Sequence, residues 1–416
     1  MVIKELINKL YDNNIFLTGG AGVGKSYLTK ELIKKYPKNL VVLAPTGIAA
    51  VNVGGQTIHS FFEFSRNLSK LNNISYPKKK LLQQTDLIII DEISMVSKKL
   101  FNAINMRLKE LDYKGKLLIV GDFYQLPPVN VEEEGWAFES KWWQYWEFET
   151  IELTEIKRTN HKEFSEVLLK LRDGSFEETH IDFIENMKNN KHLKNRNLTF
   201  LYSTNKKVDN KNSLKLNELD TPLIKFKAYD ELFHRDKEKQ FENFKKSLNI
   251  SEIFEVKKGA VVLNIVNQKL DDDVLYNGEK GIIIDIDKKN EIIKVDFEYK
   301  GVIEIERHSF DLIEYDYDGT EDKVVQNIIG SFYQFPLKLA YAITIHKSQG
   351  LSIDNLAVDL SYIFSPAQAY VALSRGVNPD NIVINPPKYK RLKEVFYIDE
   401  KVKEFYKENS KQKKLF

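Results

Sequence analysis

The chain alternates between two kinds of apolar pattern. Continuous runs at 40–44 (LVVLA), 87–90 (LIII) and 117–120 (LLIV) are the mark of strands covered on both faces of a parallel sheet. A shorter β-prone run, Asn14-Ile-Phe-Leu-Thr18, belongs with them. Between the runs, apolar residues fall at helical spacing: Val2, Ile3, Leu6, Ile7 and Leu10; the segment 27–35; and Val96, Leu100, Ile104, Leu108 and Leu111 within 94–111. Strand alternating with helix predicts an α/β sheet.

A helix with Phe164, Val167, Leu168 and Leu171 on one face follows, stopped by Gly174. A second α/β pattern starts at 198–202, resumes at 337–343 and 355–360, and ends at 381–384. A helix between the last two runs is punctuated by Ser365 as N-cap, Pro366 in the first turn and Gly376 past its end. Inside this second unit the texture changes twice. Residues 221–250 are charged and weakly patterned. Residues 259–313 carry short β-prone runs (260–265, 281–286, 292–297, 301–305) between Asn-Gly and charged turns, which predicts a small inserted antiparallel barrel. Two stretches stand outside the pattern: 65–80, polar and basic, and 401–416, whose six lysines predict a solvated tail.

Composition narrows the class. A length of 416 residues allows two or three domains, and 42% hydrophobic with 29% charged residues is ordinary for a globular protein. The 62 basic and 60 acidic residues nearly cancel, so any site for a polyanion must be a local groove. The absence of cysteine excludes disulfides and thiolate metal sites and suits a reducing compartment. The seven histidines show no metal-ligand spacing. No apolar run approaches the ~18 residues of a membrane span, and 1–14 has no signal-peptide core. The expectation is a cytoplasmic protein, nucleoid-associated if bacterial, with no membrane partner.

Candidate chemistry begins at Gly19-Gly-Ala-Gly-Val-Gly-Lys-Ser26, a G-x-x-x-x-G-K-[ST] loop set between a strand and a helix. In that context the backbone of Gly20, Gly22, Val23 and Gly24 can wrap a polyphosphate at a helix N-terminus. Lys25 then reaches the β- and γ-phosphates and Ser26 can ligate Mg²⁺, with Tyr27 next along the helix. The run 87–90 ends in Asp91-Glu92, carboxylates that are costly to bury idly. Beside a phosphate loop they suit Mg²⁺ (Asp91) and activation of water (Glu92), against the simpler reading of acids at a helix N-terminus. Gln125, in GDFYQLPPV, can sense a γ-phosphate or be a plain turn residue. The four tryptophans between Trp136 and Trp146 are read as core.

GGAGVGKS, APTGIAA followed by TIHSFF, DEIS, GDFYQLPPV, AITIHKSQG and AYVALSRG occur in that order over residues 15–376. This set resembles superfamily 1 helicases of the type B branch, and specifically the Pif (petite integration frequency) family of DNA helicases. The resemblance implies two RecA-like P-loop NTPase domains, 1–150 and 151–416. It also implies a small strand-separating wedge in the first (about 63–83) and a small Src-homology-3-like β-barrel in the second (about 255–330). ATP and Mg²⁺ would sit between the domains, and single-stranded DNA across the top. On this footing Lys25, Glu92, Gln125, Arg158 and Arg375 are catalytic, and Ser26 and Asp91 hold the metal. Gly350 lines the nucleotide cleft, and Thr46, His59, Phe62, Thr344, His346 and Lys347 lie along the DNA. The family's adenine-reading glutamine has no counterpart, since 1–18 contains no Gln. The implied activity is ATP-driven 5′ to 3′ translocation on single strands, unwinding forked or structured DNA as a monomer. Two other readings stay open: a RecD-like motor subunit of a recombination nuclease, and a nucleotide-switched single-strand clamp.

Overall fold

A computed structural model describes residues 3–64, 68, 74–190, 198–270, 274–297 and 300–409. The apolar runs become the centre of a six-stranded parallel sheet, in the order Gln56–Thr57, Leu40–Ala44, Leu87–Ile90, Lys116–Val120, Ile15–Gly19, Glu149–Leu153. Alternation along each strand sends neighbours to opposite faces. Leu17, Val42, Ile89 and Leu118 pack under the helices Ile3–Asp12 and Lys25–Lys35. Phe16, Val41, Ile88, Ile90 and Leu117 face the helix Lys98–Glu110 and an aromatic cluster. Trp136, Trp142 and Trp143 are buried in that cluster, as the core reading expects.

A second parallel sheet has the order Ala342–Thr344, Thr199–Tyr202, Leu356–Asp359, Ile382–Asn385. A five-stranded antiparallel sheet stands beside it, in the order Gly301–Ile305, Ile292–Phe297, Lys280–Asp287, Val261–Asn264, Leu337–Leu339. It has a core of its own, including Val262, Ile283, Ile293 and Val295. Among the described residues no helix is long and apolar enough to cross a membrane.

Several expectations are corrected. The run 337–343 is shared between two sheets, its first half antiparallel and its second parallel. The charged stretch 221–250 holds two strands, Ile224–Lys227 and Tyr229–Leu232, and a helix, Glu238–Leu248, that buries Phe241, Phe244 and Leu248. The helix expected from 94 begins at Lys98, because Ser97 caps it by accepting the Leu100 N–H at 3.2 Å. The helix expected from Ser365 is only Gln368–Leu373, entered through Ala367 at φ 59°. Of the basic excursion, 65–67 and 69–73 lie outside the described residues, but 76–84 is helical and Lys78 is buried. The Lys78 ammonium donates to the Tyr315 carbonyl at 2.9 Å and pairs with Glu314.

Tyr315 belongs to a long hairpin, His308–Asp318 with Lys323–Gln334, that stands apart from the five-stranded sheet and reaches the first sheet. Its hydroxyl accepts the Val42 N–H at 3.1 Å. Of the supposed tail, 410–416 lie outside the described residues, and 401–409 are helical. Glu400–Asn409 is a helix whose Val402 and Phe405 fill the aromatic cluster of the first sheet, and Trp136 Nε1 donates to Asp399 at 2.8 Å. A ready-made aromatic cavity, not local periodicity, decides its burial.

Candidate nucleotide cleft and nucleic-acid groove

The phosphate loop follows directly from its glycines. Gly22 has φ +78°, and a Cβ there would lie 2.6 Å from the Arg158 Cβ. Gly24 has φ +92° and leads into the helix Lys25–Lys35 with no side-chain cap, so the first N–H groups of that helix face the cleft. Lys25 Nζ donates to the Gly19 and Gly20 carbonyls at 2.6 and 2.8 Å. Burial pushes this ammonium down to about 8, against the pull of Asp122 and Glu92.

Asp91 and Glu92 stand opposite, just past the end of the strand Leu87–Ile90. Glu92 takes a left-handed backbone, φ 52°, and its N–H donates to Asp91 Oδ1 at 2.9 Å. A non-glycine residue held there is strained, as functional positions often are. Burial raises both carboxyls, and for Asp91 the charge of Glu92 adds to it.

The two arginines come from outside the first sheet's core elements. Arg158 donates to Ser352 Oγ at 2.9 Å and to the Ser374 carbonyl at 2.6 Å. Arg375 is 1% exposed and donates to the carbonyls of Val371 and Ser348 and to Ser374 Oγ. Those partners are all neutral. Burial, the first cause for both, lowers Arg158 to about 9 and Arg375 to about 10. A cation as deep as Arg375, hydrogen-bonded by neutral groups, is costly unless an anion joins it, and Arg158 beside it is half-buried.

These groups share one cavity of about 520 Å³. Its walls include Gly22, Val23, Gly24, Lys25, Ser26, Tyr27, Asp91, Glu92, Gln125, Arg158, Gly350 and Arg375. Gly20 contributes its carbonyl to Lys25. The exposed Ser26 hydroxyl and the Asp91 carboxylate are oxygen donors that suit Mg²⁺. Sequence reasoning missed Lys157, Tyr276 and Ser352, which also line the cleft. It missed Asp122 too, which accepts two bonds from Arg172 and lies 3.4 Å from Gln125 Nε2. Only the fixed Asp122–Gln125 spacing within GDFYQ carried a signal.

A second cavity, about 530 Å³, separates segment 45–64 from the helix Glu238–Leu248. His59 and Phe64 line it on one side, and Lys237, Lys239 and Asn243 on the other. Phe62 corrects an expectation: it has no exposed surface and stacks on Phe64 at 5.4 Å, so Phe64 presents the ring to the groove. Thr46 caps the helix Gly47–Val53 by accepting the Ala49 N–H at 3.3 Å. Thr344 is buried and accepts the Lys347 N–H at 3.2 Å, while His346 and Lys347 are exposed on the turn beyond it.

The likeness to known proteins agrees with this geometry. A family model described as PIF1-like helicase matches residues 1–182. The ATP-dependent DNA helicase Pif1 of Campylobacter jejuni is 42% identical, across 96% of this chain and 95% of its own. Bacteroides sp. Pif1 in complex with ADP-AlF4 superposes with a TM-score of 0.86 at 29% identity, covering 99% of this chain and 98% of that one. Bacteroides Pif1 bound to single-stranded DNA superposes with a TM-score of 0.67 at 30% identity, covering 98% and 97%. Fold, cleft and sequence converge, and the chain belongs to the Pif1-like helicase family.

Proposed function

We propose that this protein is an ATP-dependent DNA helicase that moves 5′ to 3′ on single strands and opens forked or structured duplexes in replication, repair or recombination. The observation that carries the reading is the pair of guanidiniums, half-buried Arg158 and buried Arg375, facing Lys25 across a cavity that also holds two carboxylates. Three cations converging on one cavity fit a polyphosphate, and two acids beside them fit Mg²⁺ and an attacking water. Mg²⁺ held by Ser26 and Asp91 would neutralise phosphate charge. Glu92, lining the same cavity, is placed to take the water's proton. Gln125 orients the γ-phosphate end. The arginines stabilise transition-state charge only when the cleft is closed, which ties hydrolysis to movement. Phosphate loop and arginines come from one chain, so a monomer has a complete cleft.

On this reading single-stranded DNA runs past His59 and Phe64 and on to His346 and Lys347, with Thr46 and Thr344 holding those turns. Hydroxyl, imidazole and aromatic groups suit backbone contact and stacking without base readout. Residues 63–83 serve as the wedge, Glu63 and Phe64 standing at the groove. The five-stranded antiparallel sheet serves as the Src-homology-3-like insertion. Two partial duplexes, one with a 5′ and one with a 3′ tail, test the proposal. Separation of the 5′-tailed substrate alone, lost in Lys25→Ala, is the expected result. Hydrolysis without unwinding of either supports a nucleotide-switched clamp, and unwinding from the 3′ tail alone overturns the assigned polarity.

A further inference from the structure

The nucleotide cleft is braced from behind by a residue more than two hundred positions away in sequence. Asp122 has no exposed side-chain surface. Its Oδ2 accepts from Arg172 Nε at 2.9 Å and faces Gln125 Nε2 at 3.4 Å. Its Oδ1 accepts from Arg172 Nη2 at 3.0 Å, from the Tyr124 N–H at 3.2 Å, and from the Tyr406 hydroxyl at 3.2 Å. The Tyr406 oxygen in turn accepts the Phe123 N–H at 3.1 Å and lies 2.9 Å from Thr18 Oγ1.

Tyr406 has one proton to give, and a buried carboxylate is the strongest acceptor in reach. With that proton on Asp122, the Thr18 hydroxyl and the Phe123 amide both donate inward, and every atom of the knot is satisfied. The phenol ring is fixed as well. It stacks on Tyr124 with centroids 4.4 Å apart and planes at 12°, and the Arg172 guanidinium lies over both rings. Thr18 immediately precedes Gly19, whose carbonyl holds Lys25. One hydroxyl therefore joins the end of the phosphate-loop strand to the loop that carries Gln125.

We propose that Tyr406, on the helix Glu400–Asn409, is a positioning residue for hydrolysis, setting Gln125 through Asp122. The inference rests on the reading of Gln125 as the group that meets the γ-phosphate. A helix that only clasped the first sheet would need no such hydroxyl, because Val402, Phe405 and the Tyr406 ring already supply the packing.

Tyr406→Phe separates the two roles, since it keeps the ring and removes the hydroxyl. Losing a hydrogen bond to a charged group is expected to lower DNA-stimulated kcat for ATP roughly tenfold. KM for ATP should stay within about twofold, because the Tyr406 hydroxyl bonds Thr18, Phe123 and Asp122 and none of Lys25, Arg158 and Arg375. Affinity for ADP with fluoroaluminate, a probe of the γ-position, should fall while affinity for ADP alone does not. Gln125→Ala is the reference, and Tyr406→Phe added to it should cause little further loss, as coupled residues do. A lower melting temperature with kcat unchanged overturns the proposal and leaves a structural clasp. A Gln125→Ala defect to which Tyr406→Phe adds in full also overturns it, since Tyr406 would then act elsewhere. No defect in Gln125→Ala itself sinks the sensor reading, and this inference with it.

Discussion

Arg375 holds its charge where folding alone gains least from it. Its guanidinium is buried among carbonyls and a hydroxyl, and each of those partners could be satisfied more cheaply by a neutral group. Arg375→Met keeps most of the volume and removes the charge. The expected outcome is a kcat lower by about 10³-fold or more, with an unliganded melting temperature equal to or above that of the parent. A fall in both would mean that the arginine is chiefly structural. Lys338 offers a pH-dependent counterpart. Burial, with the charge of Lys347 second, pushes its ammonium down to about 8 from the usual 10.5. Below pH 8 the folded chain carries a charge that it accommodates poorly. Between 8 and 10.5 it has released a proton that the unfolded chain retains, so this group's penalty shrinks as pH rises. Lys338→Met should therefore be more stable than the parent in urea unfolding at pH 7, with the gap closing towards pH 10. A gap that widened with pH would reverse the sign of the argument.

Among the elements, the C-terminal helix makes the sharpest claim on stability. The Phe405 ring stacks on Phe138 at 4.4 Å and meets Trp143, Phe123 and Phe16 edge-on or tilted. Phe405→Ala should cost about 3 kcal/mol or more in chemical unfolding, and a cost below ~1 kcal/mol would mean that the helix is only loosely seated. This helix also shows where sequence reading stops. Val402 and Phe405 are its only buried residues, set among lysines and glutamates. Val402, Phe405 and Tyr406 cover a single turn, too short a repeat to announce a buried face. Glu238–Leu248 was hidden in the same way, with Phe241, Phe244 and Leu248 as its buried residues. The strands 40–44 and 87–90 were legible to the residue, because a strand covered on both faces leaves an unbroken apolar run. The phosphate loop was legible for a related reason: its geometry is closed within eight residues. The Asp122–Arg172–Tyr406 knot was not, because nothing local links an aspartate to a tyrosine 284 positions on.

At the scale of the whole molecule, the units differ in how freely each can move. One face of the five-stranded antiparallel sheet fills a hydrophobic cluster separate from that of the second parallel sheet, and Val261 and Leu263 are the two residues of its strands that join the latter. The second parallel sheet shares its cluster with the long hairpin and with the helix Glu238–Leu248, through Phe310, Phe332, Phe241 and Leu248. A unit whose core is mostly its own turns as a body at less cost than one whose core is largely shared. DNA is therefore expected to reposition the five-stranded sheet here. The chain contains no cysteine, so introduced thiols will label cleanly. Met106, Val302 and Tyr389 are all exposed, on the first sheet's helix, the five-stranded sheet and the segment after the second parallel sheet. Dye pairs at 106/302 and 106/389 should respond unequally to saturating oligo-dT. The expected result is a large change in transfer efficiency for 106/302 and a small one for 106/389. The reverse order would place the hinge inside the shared core. No change in either pair, with binding confirmed by anisotropy, would mean that this chain grips DNA in the arrangement described, and that its groove is formed before the strand arrives.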